Sequence, residues 1–380
     1  MRLPIINLTF GKIIVYLQPK TVFSMENTPL VTVAIPAYNA QRFLPHGLDS
    51  VRNQTYNNLE IIIANDGSTD GTGDLCDQLA STDSRIKVLH LPHQGVGATR
   101  NALVENATGE YFYFCDVDDY IEPNLIELNI DVMIKNNLDM TIFGFVVENV
   151  ASGTSDTVVM EDRLMLRAEE FKQFYREKMI RMDYGYGYLH SKFFRTTFLH
   201  SLFEKGIRFE HIPMHEDELF LNEAFKYVES ACSLSQPLYH YMIYPKGNAT
   251  STYRSDDNVY SVKLFMSRIS LCNEWIKDDK SMLETFRKQL LTAISYPIFQ
   301  QQYYSQAHLS LKQQYEEIRH ALNIPEVREC TKYCHIPLCD HPGSIFSKLL
   351  DWGFYQNQPL LLLLARKLRD CYQKIVKGRH

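Results

Sequence analysis

Short apolar runs alternate with stretches of helical periodicity from residue 31 onward. The apolar runs predict five strands, at residues 31–36, 59–65, 86–91, 111–115 and 140–147. Between them, apolar residues recur at helical spacing and predict helices over residues 41–53, 70–80, 97–106 and 124–135. Near-continuous apolar strands that alternate with helices are typical of a parallel sheet covered on both faces. The pattern therefore predicts an α/β fold.

This alternation stops after residue 153. Further helices are predicted over residues 167–178, 187–205, 217–227, 259–279 and 281–315, and residues 325–342 are predicted to be irregular. Residues 1–29 form an N-terminal extension that we expect to lie outside the fold, and a translation start at Met25 would remove most of it. Residues 256–380 are expected to form a helical C-terminal region with a basic amphipathic tail.

Composition and charge exclude several classes of protein. The 380 residues are 45% hydrophobic and 22% charged, with a net charge of −6, which argues against disorder and against nucleic acid as a partner. No run of 18 apolar residues predicts a transmembrane helix. Eight scattered cysteines favour reduced thiols in a cytoplasmic protein. One cluster offers zinc ligands, although its spacing matches no common zinc framework: Cys330, Cys334, His335, Cys339 and His341.

The carboxyl ends of the predicted strands are the expected place for a ligand. Those ends are residues 36–39, 65–68, 92–95 and 116–119, and all four are polar. The turn after the first strand contains no glycine, so its backbone cannot approach a dinucleotide pyrophosphate closely. A P-loop pattern is also absent. The sequence therefore argues against both of these nucleotide-binding classes.

Two carboxylates follow the fourth predicted strand. Asp116 and Asp118 alternate along an extended segment, so both can point to one side. Clustered carboxylates repel each other unless a cation lies between them, and Mg²⁺ or Mn²⁺ would keep coordination sites open for phosphate oxygens. The alternative is a turn and helix cap in which Asp119 acts together with Pro123.

Polar residues near two other strands suggest contacts with a nucleotide. The Asp66 carboxylate follows the second strand and could accept a hydrogen bond from a base N–H such as uracil N3; the alternative is a turn that caps the next helix. Arg100 and Asn101 lie at the start of a helix and are placed to meet phosphate or a base. For Arg100, a solvated surface position is the alternative.

Four short motifs in order carry a resemblance to a known family. They are residues 36–39 (PAYN), 65–68 (NDGS), 97–101 (GATRN) and 116–119 (DVDD). Together they resemble family 2 glycosyltransferases, the bacterial enzymes that build polysaccharide chains on the GT-A fold, and the resemblance covers residues 31–253. It implies a GT-A type, Rossmann-like sandwich with a mainly parallel central sheet at residues 30–255. Its nucleotide-binding half would span residues 30–150 and its acceptor half residues 151–255, before the helical C-terminal region.

The resemblance also implies roles for individual residues. Asp118 would coordinate the ion that bridges the donor diphosphate, and Asp116 would face the ribose or the metal. Pro36, Tyr38 and Asp66 would hold the uracil. The whole set of implied donor-binding residues is Pro36, Tyr38, Asn39, Asp66, Ser68, Arg100, Asn101, Asp116 and Val117.

The family places its catalytic base in a Glu-Asp pair that opens a helix after the sheet. The matching residues are Glu216 and Asp217, and Asp217 is the candidate that takes the proton from the acceptor hydroxyl. Acidic residues also favour helix N-termini without any chemistry, so helix capping is the alternative.

Other positions depart from the family pattern or extend it. Ser191 precedes Lys192 where the family often has Asn, which puts the usual acceptor contact by Lys192 in doubt. Residues 238–241 resemble the segment that closes over the donor, and Ser251 is a candidate phosphate contact. His240 is a candidate third metal ligand, and the alternative is a histidine packed in an aromatic cluster.

The resemblance implies an inverting, metal-dependent glycosyltransferase with Mn²⁺ or Mg²⁺ as cofactor. The expected donor is a UDP-sugar, and the expected acceptor is a cell-surface glycan on a polyprenyl-diphosphate lipid. Alternatives are a transferase acting on protein or a teichoic-type polymer, and a catalytically inactive GT-A domain that binds a nucleotide or glycan. Five leucines at 360–364, followed by basic residues, suit peripheral contact with the cytoplasmic face of the plasma membrane or packing on the core.

Overall fold

The computed structural model describes residues 28–181, 185, 187–245, 257–276, 278–281, 310–323, 325, 328, 348–349, 352–353 and 356–365. Several predicted features lie outside these residues: the N-terminal extension with Met25, Ser251, the cluster from Cys330 to His341, and the basic tail after residue 365. Among the described residues, no helix is long and apolar enough to cross a membrane.

The chain divides into two compact units. The first comprises the described residues up to Phe171, together with Tyr188–Arg208 and Tyr227–Ile243. The second comprises Lys172–Gly187, Phe209–Lys226 and the described residues from Tyr244 onward. The domain boundaries expected at residues 150 and 255 stay predictions.

The first unit is built on one sheet. Its strands are β1 (Val31–Ala37), β2 (Leu59–Asp66), β3 (Ile86–Leu91), β4 (Tyr111–Phe114), β5 (Tyr120–Ile121), β6 (Met140–Asn149), β7 (Thr154–Val158), β8 (Arg163–Met165), β9 (Lys192–Arg195) and β10 (Ala231–Ile243). They lie in the order β3-β2-β1-β4-β9-β6-β10-β5, with β7 beside β6 and β8 beside β10. The pairs β3-β2, β2-β1, β1-β4 and β6-β10 are parallel. All five predicted strands are present, and the α/β fold class is confirmed.

Helices connect the strands of the sheet, and further helices come after its last strand along the chain. They are α1 (Leu44–Arg52), α2 (Thr72–Thr82), α3 (Val96–Asn106), α4 (Leu125–Asn136), α5 (Ala168–Arg181), α6 (Thr196–Glu204), α7 (Glu216–Ala224), α8 (Asp257–Ile276) and α9 (Leu311–Asn323). Every residue of β1 and β2 is buried, as a sheet covered on both faces requires. Because these strands are parallel, their carboxyl ends meet at one edge of the sheet.

The helix predicted over residues 187–205 is wrong in its first half. Lys192–Arg195 form β9, which lies antiparallel between β4 and β6, and only Thr196–Glu204 are α-helical. The fully buried rings of Phe193 and Phe194 explain the difference, since aromatic residues pack well on the pleated surface of a sheet. Residues 238–241, expected to close over a donor, belong to β10.

Candidate active site

Hydrogen bonds join the turns that follow β1 and β2. The Asn39 backbone N–H donates to Ser68 Oγ at 2.9 Å, and Asn39 Oδ1 accepts from the Thr69 N–H at 2.8 Å. Asn39 has a φ of 47°, a left-handed conformation that asparagine tolerates better than most residues. Pro36 is buried at the end of β1, whereas Tyr38 projects from the turn and is 46% exposed. The structure thus brings together the predicted residues of the first two motifs.

Asp66 organises the loop that follows β3. Its Oδ1 accepts from the Gln94 N–H at 2.9 Å, and its Oδ2 accepts from the Gly95 N–H at 3.0 Å. The same Oδ2 lies 2.9 Å from His93 Nδ1. The His93 ring in turn stacks on Tyr38, with centroids 4.2 Å apart and planes 17° from parallel. Sequence reasoning identified residues 92–95 as a strand end but did not single out His93.

Arg100 is a buried residue in the middle of α3. Its Nη2 donates to Asp116 Oδ1 at 2.9 Å, which joins α3 to the loop after β4. Asn101, the next residue, is also buried. The alternative of a solvated surface position for Arg100 is therefore wrong. The guanidinium instead places a positive charge beside the predicted metal-binding loop.

The loop from Asp116 to Asp119 carries carboxylates in contrasting environments. Burial, and then the negative charge of Asp116, raises the pKa of Asp118 to about 6. Asp119 is buried, and its carboxylate accepts hydrogen bonds from the Tyr239 hydroxyl and, at 2.7 Å, from the Met242 N–H. Asp119 thus ties this loop to β10 rather than capping α4, which begins after Asn124. The intervening Val117 is half-buried.

The environment of Asp118 is one that a cation would stabilise. Two adjacent carboxylates, one of them held largely away from water, create a local negative charge, and oxygen ligands suit Mg²⁺ or Mn²⁺. In the described part of the chain, no group of three or more His, Cys, Asp or Glu side chains could hold a metal ion. An ion held by Asp116 and Asp118 would need water or substrate oxygens to complete its coordination, and metal binding at these two residues stays a prediction.

His240, on β10, lies between the side chains of two glutamates from other segments. Its Nδ1 is 2.6 Å from Glu148 Oε1 and its Nε2 is 2.7 Å from Glu122 Oε1. The ring stacks on Tyr120 with centroids 4.2 Å apart, and the Tyr120 hydroxyl donates to Glu148 at 2.6 Å. Both ring nitrogens thus face carboxylates, a packed arrangement like that of the sequence-based alternative. Metal ligation by His240 stays a prediction.

Lys192 is fully buried at the start of β9. Its Nζ donates to the Tyr188 carbonyl oxygen and to Ser191 Oγ, both at 2.8 Å. Nearby, burial lowers the pKa of His190 well below its ordinary value, and the charges of Lys192 and Arg100 lower it further. The His190 ring stacks on the ring of Tyr239, with centroids 4.4 Å apart. Ser191, which stands where the family often has Asn, therefore accepts a hydrogen bond directly from Lys192.

In the second unit, the predicted Glu-Asp pair opens α7. His215 precedes the helix with a φ of 64°, and burial lowers its pKa against the opposing effect of Glu218 and Asp217. Asp217 Oδ1 accepts from the Glu218 N–H at 2.8 Å, and Glu216 is buried. Arg268 Nε on α8 donates to Glu218 Oε1 at 2.8 Å, so an ion pair anchors the first turn of α7. The role of Asp217 as a base stays a prediction.

Comparisons with known proteins agree with this architecture. Residues 32–203 match the family described as Glycosyl transferase family 2. EpsH of Bacillus subtilis (strain 168), which carries a glycosyltransferase name, is 33% identical over 273 residues, covering 70% of this chain and 74% of EpsH. The hyaluronan synthase of Pasteurella multocida is 32% identical over 155 residues, which cover 41% of this chain and 15% of the synthase.

The fold is also found among solved structures. S. aureus TarS 1–349, solved in complex with UDP-GlcNAc, has a TM-score of 0.63 to this chain at 17% sequence identity, and the match covers 92% of each chain. This similarity shows a shared GT-A fold. Together with the identity to EpsH over most of both chains, it establishes the class of protein. The chain belongs to glycosyl transferase family 2 and is a glycosyltransferase.

Proposed function

We propose that this glycosyltransferase moves a sugar from a UDP-sugar to a hydroxyl of a growing cell-surface glycan, with inversion at the anomeric carbon. The observation that carries the proposal is the arrangement at the carboxyl edge of the sheet. There the exposed Tyr38 ring follows β1, and the Asp116 and Asp118 carboxylates follow β4, which pairs in parallel with β1. The Arg100 guanidinium donates to Asp116 in the same loop. This edge offers groups for a base, a diphosphate and a cation in one unit.

The comparisons support the choice of donor and acceptor class. TarS, which shares the fold, was solved with UDP-GlcNAc, and this supports UDP as the nucleotide. The hyaluronan and chondroitin synthases of Pasteurella multocida are each 32% identical to this chain over 155 residues, and their names support a glycan acceptor. A lipid-linked glycan is the acceptor that we propose.

Donor binding rests on residues of the first unit. The proposed donor-binding residues are Pro36, Tyr38, Asn39, Asp66, Ser68, Arg100, Asn101, Asp116 and Val117. Asp118, with Asp116, would hold Mn²⁺ or Mg²⁺, and His240 remains a candidate ligand. Such an ion, when bound, offsets negative charge on the departing nucleoside diphosphate. Arg100, fixed by Asp116, adds a positive charge on the same side.

Asp217 is the proposed general base. The acceptor oxygen forms a bond to the anomeric carbon, the bond from that carbon to the diphosphate oxygen breaks, and the acceptor proton passes to a carboxylate oxygen of Asp217. The buried Glu216 and the Glu218–Arg268 ion pair hold the first turn of α7 in place. Lys192 and Ser251 are further candidates, for the acceptor and for phosphate respectively.

Contact with an anionic membrane surface would bring the enzyme to a lipid-linked acceptor. In the second unit, Leu360 and Leu364 are exposed while Leu362 and Leu363 are buried. The described leucines are thus divided between a packed side and a side available to lipid, and the sequence continues with basic residues. Together these features support peripheral binding at the cytoplasmic face of the membrane.

Calorimetric titration with UDP, in Mn²⁺ and in chelator, tests the proposal. We expect UDP to bind in the presence of Mn²⁺, and this binding to disappear in Asp118→Ala. The matched control Asp156→Ala removes an exposed carboxylate on β7 and should bind as the unaltered protein does. Binding of GDP or CDP instead of UDP would change the proposed donor. Failure to bind any nucleoside diphosphate would favour a catalytically inactive domain.

A further inference from the structure

The residue before α7 has an unusual backbone conformation. Among the described residues, four that are not glycine have a positive φ; three of these are asparagines, and the fourth is His215, with a φ of 64°. Its carbonyl oxygen accepts from the Leu219 N–H at 3.0 Å, so His215 is the N-cap of α7. Glycine and asparagine adopt this left-handed conformation readily. The backbone therefore does not by itself require a histidine at this position.

Helix capping does not explain the His215 side chain either. An N-cap side chain normally accepts a hydrogen bond from a backbone N–H in the first turn of the helix. In α7, which is described throughout, the His215 side chain makes no such bond. Asp217 Oδ1 instead accepts from the Glu218 N–H at 2.8 Å. A role other than helix capping must therefore account for the imidazole.

Charged groups on two helices act on the His215 ring. Burial has the largest effect and lowers the pKa of the ring, whereas the negative charges of Glu218 and Asp217 in α7 raise it. The positive charge of Arg268, on α8, lowers it further. Arg268 Nε donates to Glu218 Oε1 at 2.8 Å, so an ion pair balances the charge of Glu218. His215 and Asp217 are therefore electrostatically coupled at the start of α7.

This coupling acts in both directions. Because the Asp217 carboxylate favours a protonated ring, a protonated ring favours the ionised form of Asp217 to the same extent. Only an ionised carboxylate can take up the proton of an acceptor hydroxyl. A positive charge beside Asp217 therefore matters in the acidic range, where the carboxyl group would otherwise become protonated and stop acting as a base.

We propose that His215 is a positioning residue that, as an imidazolium, keeps the neighbouring Asp217 carboxyl group ionised and so extends the action of the base to lower pH. A histidine suits this role because its charge changes between about pH 5 and 8. Glycine or asparagine would satisfy the backbone but carry no charge. Arg268, the other cation that acts on the ring, is committed to Glu218. The inference rests on the proposed use of Asp217 as the base.

A pH titration of the histidine rings by NMR tests the coupling in the full chain, without any ligand. The signal of His215 is the one that disappears in His215→Asn. In Asp217→Asn, the midpoint of this signal should fall by about 0.5–1 pH unit, because a negative charge near the ring has been removed. An unchanged midpoint overturns the inference, as does a His215 ring that stays neutral throughout the titration.

Glu223→Gln is the matched control for the NMR titration. It removes a carboxylate from the last turn of the same helix, where Glu223 pairs with Lys226 at 2.9 Å. The midpoint of His215 should therefore stay unchanged in this variant. An equal shift in Glu223→Gln and Asp217→Asn would mean that the ring responds to the net charge of the helix, and that result overturns the specific coupling to Asp217.

The pH profile of UDP release from UDP-GlcNAc, with water as the acceptor, tests the consequence for the base. The water oxygen forms a bond to the anomeric carbon, the bond from that carbon to the diphosphate oxygen breaks, and a proton passes to Asp217. His215→Asn and His215→Gly should both fold, because both residues allow the left-handed backbone. In both, the acidic limb of kcat/KM should move to higher pH by about 0.5–1 unit, with less than about a twofold change at about pH 8.

The outcomes separate this inference from the proposed function. A structural role for His215 would lower the rate by the same factor at every pH, and that result overturns the inference. Full UDP release by Asp217→Asn overturns the assignment of the base, whereas loss of release with an unshifted His215 midpoint overturns only the inference. If the unaltered protein releases no UDP, UDP-GlcNAc is excluded as the donor, and the NMR titration still decides the coupling.

Discussion

The adjacent carboxylates Asp118 and Asp119 differ in what surrounds them. Asp118 has a raised pKa and lies beside Asp116, whereas Asp119 accepts bonds from the Tyr239 hydroxyl and the Met242 N–H. Burial, followed by the charges of Asp118 and Asp116, raises the pKa of Asp119 well above its ordinary value. Asp119 therefore holds the loop against β10, whereas Asp118 is the carboxylate proposed to bind a cation.

Tyr239→Phe should weaken this attachment without changing the shape of the core. The loss of one hydrogen bond to a buried carboxylate should lower the free energy of unfolding by about 1–3 kcal/mol. The loop would then be less fixed, and Mn²⁺-dependent UDP binding should weaken. Urea unfolding and UDP titration measure the two effects. The control Tyr227→Phe alters an exposed tyrosine. Equal stability of the two variants would contradict the prediction.

Glu60 gives the stability of the first unit a dependence on pH. Its carboxylate is buried, which by itself raises the pKa, but hydrogen bonds from Lys87, Thr32 and Thr108 outweigh burial and lower the pKa to about 2. A carboxyl group whose pKa is lower in the folded state stabilises that state above its ordinary pKa of 4.5. That contribution is lost as the pH falls from 4.5 toward 2.

Glu60→Gln should therefore be less stable than the unaltered protein by about 2 kcal/mol at neutral pH. The difference should shrink as the pH falls through the same interval, because the carboxyl group becomes protonated in both states. Urea unfolding at a series of pH values measures it. Glu229→Gln, which changes an exposed glutamate, serves as the control. A difference that stays constant with pH would rule out this origin of the stability.

Some site residues could be predicted from the sequence, and the reason lies in their position along the chain. Asp66 ends β2, Asp118 lies in the loop after β4, and Arg100 lies within α3, all elements that the apolar pattern already marks. His240 lies on β10 and has two carboxylate partners. Glu122 follows β5 and Glu148 lies on β6, and the pairing of β10 with both strands brings the three side chains together. Such pairings depend on the register of strands distant in sequence, which local periodicity does not carry.

At the scale of elements, the turn after β2 depends on one glycine. Gly67 has a φ of +63°, and a Cβ there would lie 2.7 Å from the backbone nitrogen of His93. Gly67→Ala should therefore meet a steric clash in addition to backbone strain, which alone costs about 1–3 kcal/mol. We expect lower stability in thermal unfolding and weaker UDP binding, because the turn and the His93 loop must separate.

Gly153→Ala provides a matched control for this substitution. Gly153 has a similar φ of +66°, but no heavy atom among the described residues lies within 4 Å of a Cβ placed there. The control therefore isolates the backbone strain from the close approach of two loops. If the two alanine variants were equally stable and bound UDP equally well, the contact between Gly67 and His93 would not matter.

The elements themselves were predictable where the chain alternates regularly. β1 to β4 are short, fully or largely apolar runs separated by helices, and the local pattern is sufficient to identify them. β9 has four residues and continues directly into α6. The helical spacing of apolar residues in α6 therefore led to the prediction of one helix that included β9. It is recognised as a strand only because β4 and β6 bond to it from either side.

At the scale of the whole molecule, the proposed roles are divided between the two units. The proposed donor-binding residues from Pro36 to Val117 belong to the first unit, whereas Asp217 belongs to the second. Binding of the nucleotide and activation of the acceptor should therefore be separable by mutation. A residue that acts only on the acceptor proton contributes to turnover and not to the affinity for UDP.

Asp217→Asn is the substitution that tests this division. Asparagine retains an oxygen that can accept from the Glu218 N–H, so the first turn of α7 should persist, but an amide cannot take up the acceptor proton. Transfer from a UDP-sugar should fall by about 10²–10⁴-fold, while UDP affinity should stay within about twofold. Glu223→Gln, in the same helix, should leave both quantities unchanged. Parallel loss of UDP binding and transfer would assign Asp217 to the donor side, and full transfer activity would remove it from the mechanism.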